Sequence, residues 1–133
     1  MSDISALIVD DSSVMRKIVE RALRQAGLSL SEVFEAANGV EALEVLRRKR
    51  VDLILSDINM PNMDGFELLH QLREQNLAPN VPVVLITTES SEDHVRNAIA
   101  AGAQGYIRKP FTAEQVKDRV LPLLGAIEVE RRE

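Results

Sequence analysis

Three acids, a hydroxyl and an amine stand where short apolar runs give way to polar residues. The run 6–9 leads into Asp10 and Asp11, and the run 51–55 leads into Asp57 and the proline loop of "LSDINMPNMDG". The run 83–87 ends at Thr87, followed by Thr88 and Glu89, and the run 105–108 is followed by Lys109. Three carboxylates held close together repel one another and cannot all stay ionised without a cation. With no His or Cys in the set, hard oxygen donors point to Mg²⁺, which prefers octahedral oxygen coordination and keeps several waters. A divalent ion beside an ammonium suits a phosphoryl group, because metal and lysine neutralise the charge on its equatorial oxygens. A carboxylate can also be the attacking nucleophile and form an aspartyl phosphate. Spacing alone leaves open which acid attacks.

Each residue taken singly has an ordinary explanation. Asp10 to Ser13 could cap a helix, Asp57 could be turn chemistry, Thr87 a strand residue and Lys109 a solvated cation. All four explanations would have to hold at once, at the ends of four different strands.

The apolar pattern supplies elements able to bring these residues together. Strands are predicted at 6–9, 33–36, 53–56, 83–87 and 105–108, alternating with stretches of helical periodicity. Val14, Ile18, Ala22, Leu23 and Ala26 form the inward face of the first helix, with Gly27 as its stop. Val40, Leu43 and Leu46 face inward in a helix over 39–49. Phe66, Leu68, Leu69 and Leu72 mark the third helix, and Val95, Ala98 and Ile99 the buried side of a fourth over 91–101. Thr112 is a suitable N-cap for the last helix, along which Val116, Val120, Leu124 and Ile127 align. Pro122 predicts a kink or early end there, since an internal proline removes a hydrogen bond and clashes one turn back. Strands alternating with helices imply a mostly parallel sheet covered on both faces. Ligands of such a sheet bind outside the carboxyl ends of its strands, the edge to which the acids, Thr87 and Lys109 belong.

Composition narrows the function classes. At 133 residues the chain is one domain's worth, able to bury roughly two thirds of its unfolded surface. A net charge of −5 and a pI near 5.1, with no broad basic stripe, argue against direct nucleic-acid binding. Arg47-Arg48-Lys49-Arg50 is the one charge run, read as cations on the carbonyl end of a helix, with a partner-docking patch as the alternative. The absence of cysteine excludes disulfides and thiolate sites. The apolar runs fall far below the ~20 residues of a membrane span, and the first five residues show no signal-peptide pattern. The expectation is a cytoplasmic protein without membrane insertion.

Four segments, "LIVDDSS", "LILSDINMPNMDGFELL", "VPVVLITTES" and "AGAQGYIRKPFT", together resemble a bacterial two-component response-regulator receiver domain of the stand-alone chemotaxis type. The resemblance spans about residues 4 to 125. It implies a flavodoxin-like, doubly wound (βα)5 domain over residues 1–125, with a five-stranded parallel sheet in the order 2-1-3-4-5 and a short polar tail over 126–133. It implies Asp57 as the phosphoacceptor. Asp11, Asp57 and the backbone carbonyl of Asn59 would ligate Mg²⁺, and Asp10 would support the ion largely through water. Thr87 would swing toward the phosphoryl group and Lys109 would pair with it, from a cis Lys109–Pro110 bond. Tyr106 would follow Thr87 as the second half of a switch, and Asn59 and Glu89 would tune how easily water reaches the phosphoryl group. A histidine kinase would be the donor. An output protein would bind the face made by the fourth helix, fifth strand and fifth helix. The expected protein is thus a single-domain phosphoacceptor switch and not an enzyme in the usual sense.

Two departures from the family pattern bear on the switch. Thr88 is bulkier than the small residue common at its position, and Pro122 disturbs the last helix. Two rivals share the architecture. A haloacid-dehalogenase-type aspartyl-phosphate phosphatase also uses a strand-end Asp with Mg²⁺, but usually carries a second Asp two residues on, where this chain has Asn59. A nucleotide- or flavin-binding domain would want glycines and backbone amides where this chain has Asp10-Asp11-Ser12-Ser13.

Overall fold

The computed structural model describes residues 3–88 and 92–132, apart from the side chains at 92, 94 and 125–132. Its elements follow in order as β1 (Ile4–Val9), α1 (Ser13–Gln25), β2 (Leu30–Ala36), α2 (Gly39–Arg48), β3 (Leu53–Asp57), α3 (Gly65–Glu74), β4 (Val83–Thr87), α4 (Glu92–Ala101), β5 (Gly105–Arg108) and α5 (Ala113–Arg132). All strand pairs are parallel, in the order β2-β1-β3-β4-β5, so the order reverses between β1 and β3.

Alternation along the buried strands builds two cores, as the two-residue side-chain period requires. Ala6 and Ile8, Leu53 and Leu55, and Val84 and Ile86 join Val19, Leu23, Val116 and Val120 on the side of α1 and α5. Leu7 and Val9, Ile54, and Val83 and Leu85 join Leu43, Leu68, Leu72 and Ala98 on the side of α2, α3 and α4. Both faces of the sheet are therefore covered, and its polar chemistry is confined to the ends.

Local signals fix the helix ends. Ser12 caps α1 by accepting from Met15 N–H, and Asn38 caps α2 by accepting from Glu41 N–H. Asp64 and Glu67 form a reciprocal capping box on α3, and Thr112 and Gln115 exchange the same pair of bonds at α5. Gly27, at φ +95°, follows α1; its N–H bonds Arg24 C=O, and Leu28 N–H bonds Leu23 C=O at 3.2 Å. That is a Schellman stop, which needs the left-handed backbone glycine adopts without a Cβ penalty.

Helix phase departs from the sequence reading. Val14, Ile18, Val40 and Ile99 are exposed, Val14 and Ile99 by about two thirds (67% and 64%). Val19, Ala22, Leu23 and Ala26 line the inner face of α1, with Ala42 beside Leu43 and Leu46 in α2. Ala22, Leu23, Ala26, Leu43, Leu46 and Ala98 are nevertheless buried as expected, so the faces of α1, α2 and α4 are right in part and shifted at their edges. The early end at Pro122 does not occur, because α5 continues to Arg132. Proline forfeits one N–H bond there, while Val120 and Leu124 on either side stay buried in the core. Ile127 lies among the undescribed side chains. No helix among the described residues is long and apolar enough to cross a membrane.

Candidate functional site

The carboxyl ends of β1, β3, β4 and β5 lie side by side. Val9 is level with Ser56, Asp57 with Ile86, and Thr87 with Arg108. Each chemical residue is therefore at, or just past, the last rung of its strand. Asp10, Asp57 and Thr87 are buried, whereas Asp11 is exposed. One carboxylate oxygen from each of Asp10, Asp11 and Asp57 lies within 4.8 Å of the others.

Lys109 reaches this cluster from β5. Its main-chain N–H donates to Thr87 C=O at 2.7 Å, and the Lys109–Pro110 bond is cis. Its Nζ stands 3.4 Å from Asp10 Oδ2 and 3.5 Å from Asp57 Oδ1. Asp57 Oδ1 also accepts from Ile58 N–H at 2.9 Å. Burial, opposed by the Lys109 ammonium and reinforced by the Asp10 charge, holds the Asp57 carboxyl above its ordinary value.

The donor set fits a hard divalent cation. Three carboxylates face one ammonium, so acidic groups outnumber the cation beside them. Asp10 is fully engaged, its Oδ1 accepting from Ser12 N–H at 2.9 Å and its Oδ2 facing Lys109. Asp11 has no hydrogen bond or ion pair among the described residues, so its oxygens are open to a ligand.

The loop after β3 is pinned at several points. Gly65 N–H donates to Ile58 C=O at 2.8 Å, Gly39 N–H to Met63 C=O at 3.2 Å, and Ile58 N–H also to Ile86 C=O at 3.2 Å. Asn59 is exposed in this loop, two residues beyond Asp57. Tyr106, half-buried on β5, is level with Leu85 of β4, two residues before Thr87. Glu89 lies outside the described residues.

The sequence reading missed Gly65. A Cβ at this position would stand 2.7 Å from Asp57 O and 3.0 Å from Ile58 Cα, so the helix start presses directly on the backbone of the buried acid. A glycine at the first residue of a helix, just after its capping Asp64, was the available signal, since α3 would otherwise favour almost any side chain there.

Comparison with known proteins fits this geometry. Residues 6–121 match the response regulator receiver domain. The chain belongs to that family. This receiver is 38% identical over 120 residues to a chemotaxis protein CheY homolog of Campylobacter jejuni, covering 90% of this chain and 91% of the homolog. It superposes on Vibrio cholerae chemotaxis protein CheY4 with a TM-score of 0.80 at 37% identity, over 92% of this chain and 99% of that one. The receiver domain of the sensor histidine kinase PA1611 of Pseudomonas aeruginosa, with a magnesium ion coordinated in its active-site cleft, gives a TM-score of 0.74 at 28% identity, covering 88% and 93%. The fold is the CheY-like doubly wound one, and the receiver is a CheY-like response regulator. Nothing in these matches supports the phosphatase alternative.

Proposed function

We propose that this receiver takes a phosphoryl group onto Asp57 from the phosphohistidine of a kinase and signals through a second surface. The observation that carries the reading is the juxtaposition of Asp10, Asp11 and Asp57 within 4.8 Å, with Lys109 Nζ 3.5 Å from Asp57. Asp11, Asp57 and the backbone carbonyl of Asn59 would hold Mg²⁺, and Asp10 would back them. The bound ion supplies charge neutralisation at the transferring phosphoryl oxygens. Asp57 presents a carboxylate oxygen to phosphorus; the new O–P bond forms as the N–P bond of phosphohistidine breaks, and the imidazole leaves with the electron pair. Lys109 stays beside the oxygens that carry the charge. Dehydration of the pocket strengthens each of these interactions.

The output would come from Thr87 and Tyr106. Thr87 turns its hydroxyl toward the phosphoryl oxygens, and Tyr106 on the neighbouring strand follows. Shifting such a switch from 1:99 to 99:1 needs about 5.5 kcal/mol of differential stabilisation. Charge-assisted hydrogen bonds at roughly 1.5–3 kcal/mol each can supply it. The surface that changes is made by α4, β5 and α5. It carries the exposed Ile99 and a cleft of about 420 Å³ lined by Tyr106, Arg108, Gln115 and Arg119 among others, features suited to an output protein. Asn59, and Glu89 beyond the described residues, would set access of water to the phosphoryl group. The setting would be cytoplasmic, where histidine kinases hold their phosphohistidine.

Incubation with Mg²⁺ and a small phosphodonor, followed by intact mass, tests the assignment. Wild type should gain one phosphoryl mass and Asp57→Asn none. Equal uptake by both would remove Asp57 from its role.

A further inference from the structure

Arg16 lies outside the acid cluster, yet two of its guanidinium nitrogens are committed to the chain around it. Its Nη1 donates to the backbone carbonyl of Asp10 at 2.7 Å, and its Nε to Glu35 Oε1 at 2.9 Å. Glu35, near the end of β2, is bracketed on its other oxygen by Lys17 Nζ at 3.1 Å. The neighbouring Ala36 C=O accepts from Asp10 N–H at 3.0 Å. The backbone of Asp10 is thus tied to the end of β2 twice, directly through its N–H and through Arg16 by its C=O.

The carbonyl that Arg16 holds belongs to the peptide joining Asp10 to Asp11. Asp11 has no hydrogen bond or ion pair of its own among the described residues, so no side-chain contact holds it, and the peptide before it sets where its Cβ stands relative to Asp10 and Asp57. We infer that Arg16, braced by Glu35, is a positioning residue that locks the Asp10–Asp11 peptide and so presents Asp11 to the divalent cation. The inference rests on the phosphoacceptor reading above and deepens it. The guanidinium is suited to the task because its planar fork serves two acceptors at once, whereas an ammonium is a single point charge.

A plain surface ion pair would behave differently. Arg16 is a cation near three acids, so if only its charge mattered, removing it would make the cluster attract Mg²⁺ more strongly. Positioning predicts the opposite sign. Partners that orient metal ligands from behind typically change metal affinity by about 10- to 100-fold when lost.

The test is calorimetric titration of Mg²⁺ into wild type, Arg16→Ala, Arg16→Lys and Lys17→Ala, with thermal melts and phosphoryl uptake at saturating Mg²⁺. Arg16→Ala should weaken Mg²⁺ binding about tenfold, and its phosphoryl uptake should approach wild type once Mg²⁺ saturates. Arg16→Lys, which keeps the charge and serves as the folded alternative if Arg16→Ala does not fold, should remain weakened at least threefold. Lys17→Ala, whose ion pairs among the described residues are with Glu35's other oxygen and Glu20, should bind Mg²⁺ within about twofold of wild type. Unchanged or tighter binding in Arg16→Ala, full rescue by lysine, or an equal loss in Lys17→Ala overturns the inference. Wild type that binds no Mg²⁺ overturns the parent reading and this one with it.

Discussion

Replacing Gly65 by alanine separates a structural role at the phosphoacceptor from ordinary helix chemistry. In an open helix the change is favourable, since alanine gains roughly 0.5–1 kcal/mol over glycine. Here the added methyl would lie 2.7 Å from Asp57 O, 3.0 Å from Ile58 Cα and 3.3 Å from Leu85 Cδ2. Two of these three atoms are backbone, so no rotamer change clears them, and the third belongs to a fully buried core leucine. Either α3 retreats from the sheet, lengthening the 2.8 Å bond from Gly65 N–H to Ile58 C=O, or the end of β3 shifts with Asp57.

Overpacking of this kind costs about 1–3 kcal/mol. For a chain of 133 residues, unfolding entropy makes each kcal/mol about 3–4 °C in Tm, so the loss should be roughly 4–11 °C. The same displacement carries the Asp57 carboxylate off line by a few tenths of an ångström, and phosphoryl uptake should slow about tenfold at saturating Mg²⁺. Differential scanning calorimetry and intact-mass time courses read the two effects. A Tm equal to or above wild type would refute the reasoning, because it would mean that the methyl meets open space and only helix propensity remains.

Four further outcomes follow from other contacts of the fold and the site. Without metal at neutral pH, Asp57→Asn should melt above wild type, because the folded protein bears the cost of ionising Asp57 once pH rises through its raised pKa; the advantage should vanish below about pH 3.8. Mg²⁺ at ten times its Kd should then raise wild type by about 1.4 kcal/mol, or ~5 °C, and the variant much less; equal shifts would detach the ion from Asp57. Glu35 has the opposite sign: burial raises its pKa, but the hydrogen bonds and charges of Arg16 and Lys17 outweigh it and leave the net value lowered. Its contribution is present above pH 4.5 and is lost as pH falls through the folded value, so the Tm gap between wild type and Glu35→Gln should be full at pH 7 and close in acid; a gap independent of pH would be inconsistent with this. Thr112→Ala removes the acceptor of the Gln115 N–H bond and should cost about 1 kcal/mol, near 4 °C, with phosphoryl uptake unchanged.

What could be read from sequence follows the range of the forces involved. The strand at 83–87 was legible to the residue because a strand buried on both faces is a continuous apolar run bounded by polar residues; the edge strand at 105–108 matched as well, although only Ile107 in it is buried. Convergence of Asp10, Asp11, Asp57 and Lys109 was legible because parallel topology sends every strand's carboxyl end to one edge. Helix phase was legible only in part: Ala22, Leu23, Ala26 and Ala98 are buried as expected, but Val14, Ile18, Val40 and Ile99 are exposed, and Val19 and Ala42 join the core instead. The early end expected at Pro122 does not occur, because a local rule counts the lost bond and cannot count Val120 and Leu124 burying the same turns. Gly65 was signalled only by its place after Asp64, not by its press on Asp57 and Ile58, and Arg16 acts through Glu35, 19 positions away on another element.

The site is better understood as a property of register than of any residue in it. Val9 ends a run whose partner is Ser56, so Asp10 and Asp57 leave the sheet at the same level, and Thr87 follows one step above Ile86, the partner of Asp57. A slip of one residue in any of these strands would turn its side chains to the opposite face and break both cores at once. The hydrophobic packing therefore enforces a spacing between charges that the charges themselves oppose. Asp10 and Asp57 are held at 3% and 8% exposure, where water screens charge poorly, with Lys109 as the cation beside both. On the proposed reading, a divalent cation would offset the excess of negative charge. With the strands fixed by two cores, the proposed switch would have to work through side chains at or past the last rung of each strand, which is the route by which a change at Asp57 would reach the surface of β5.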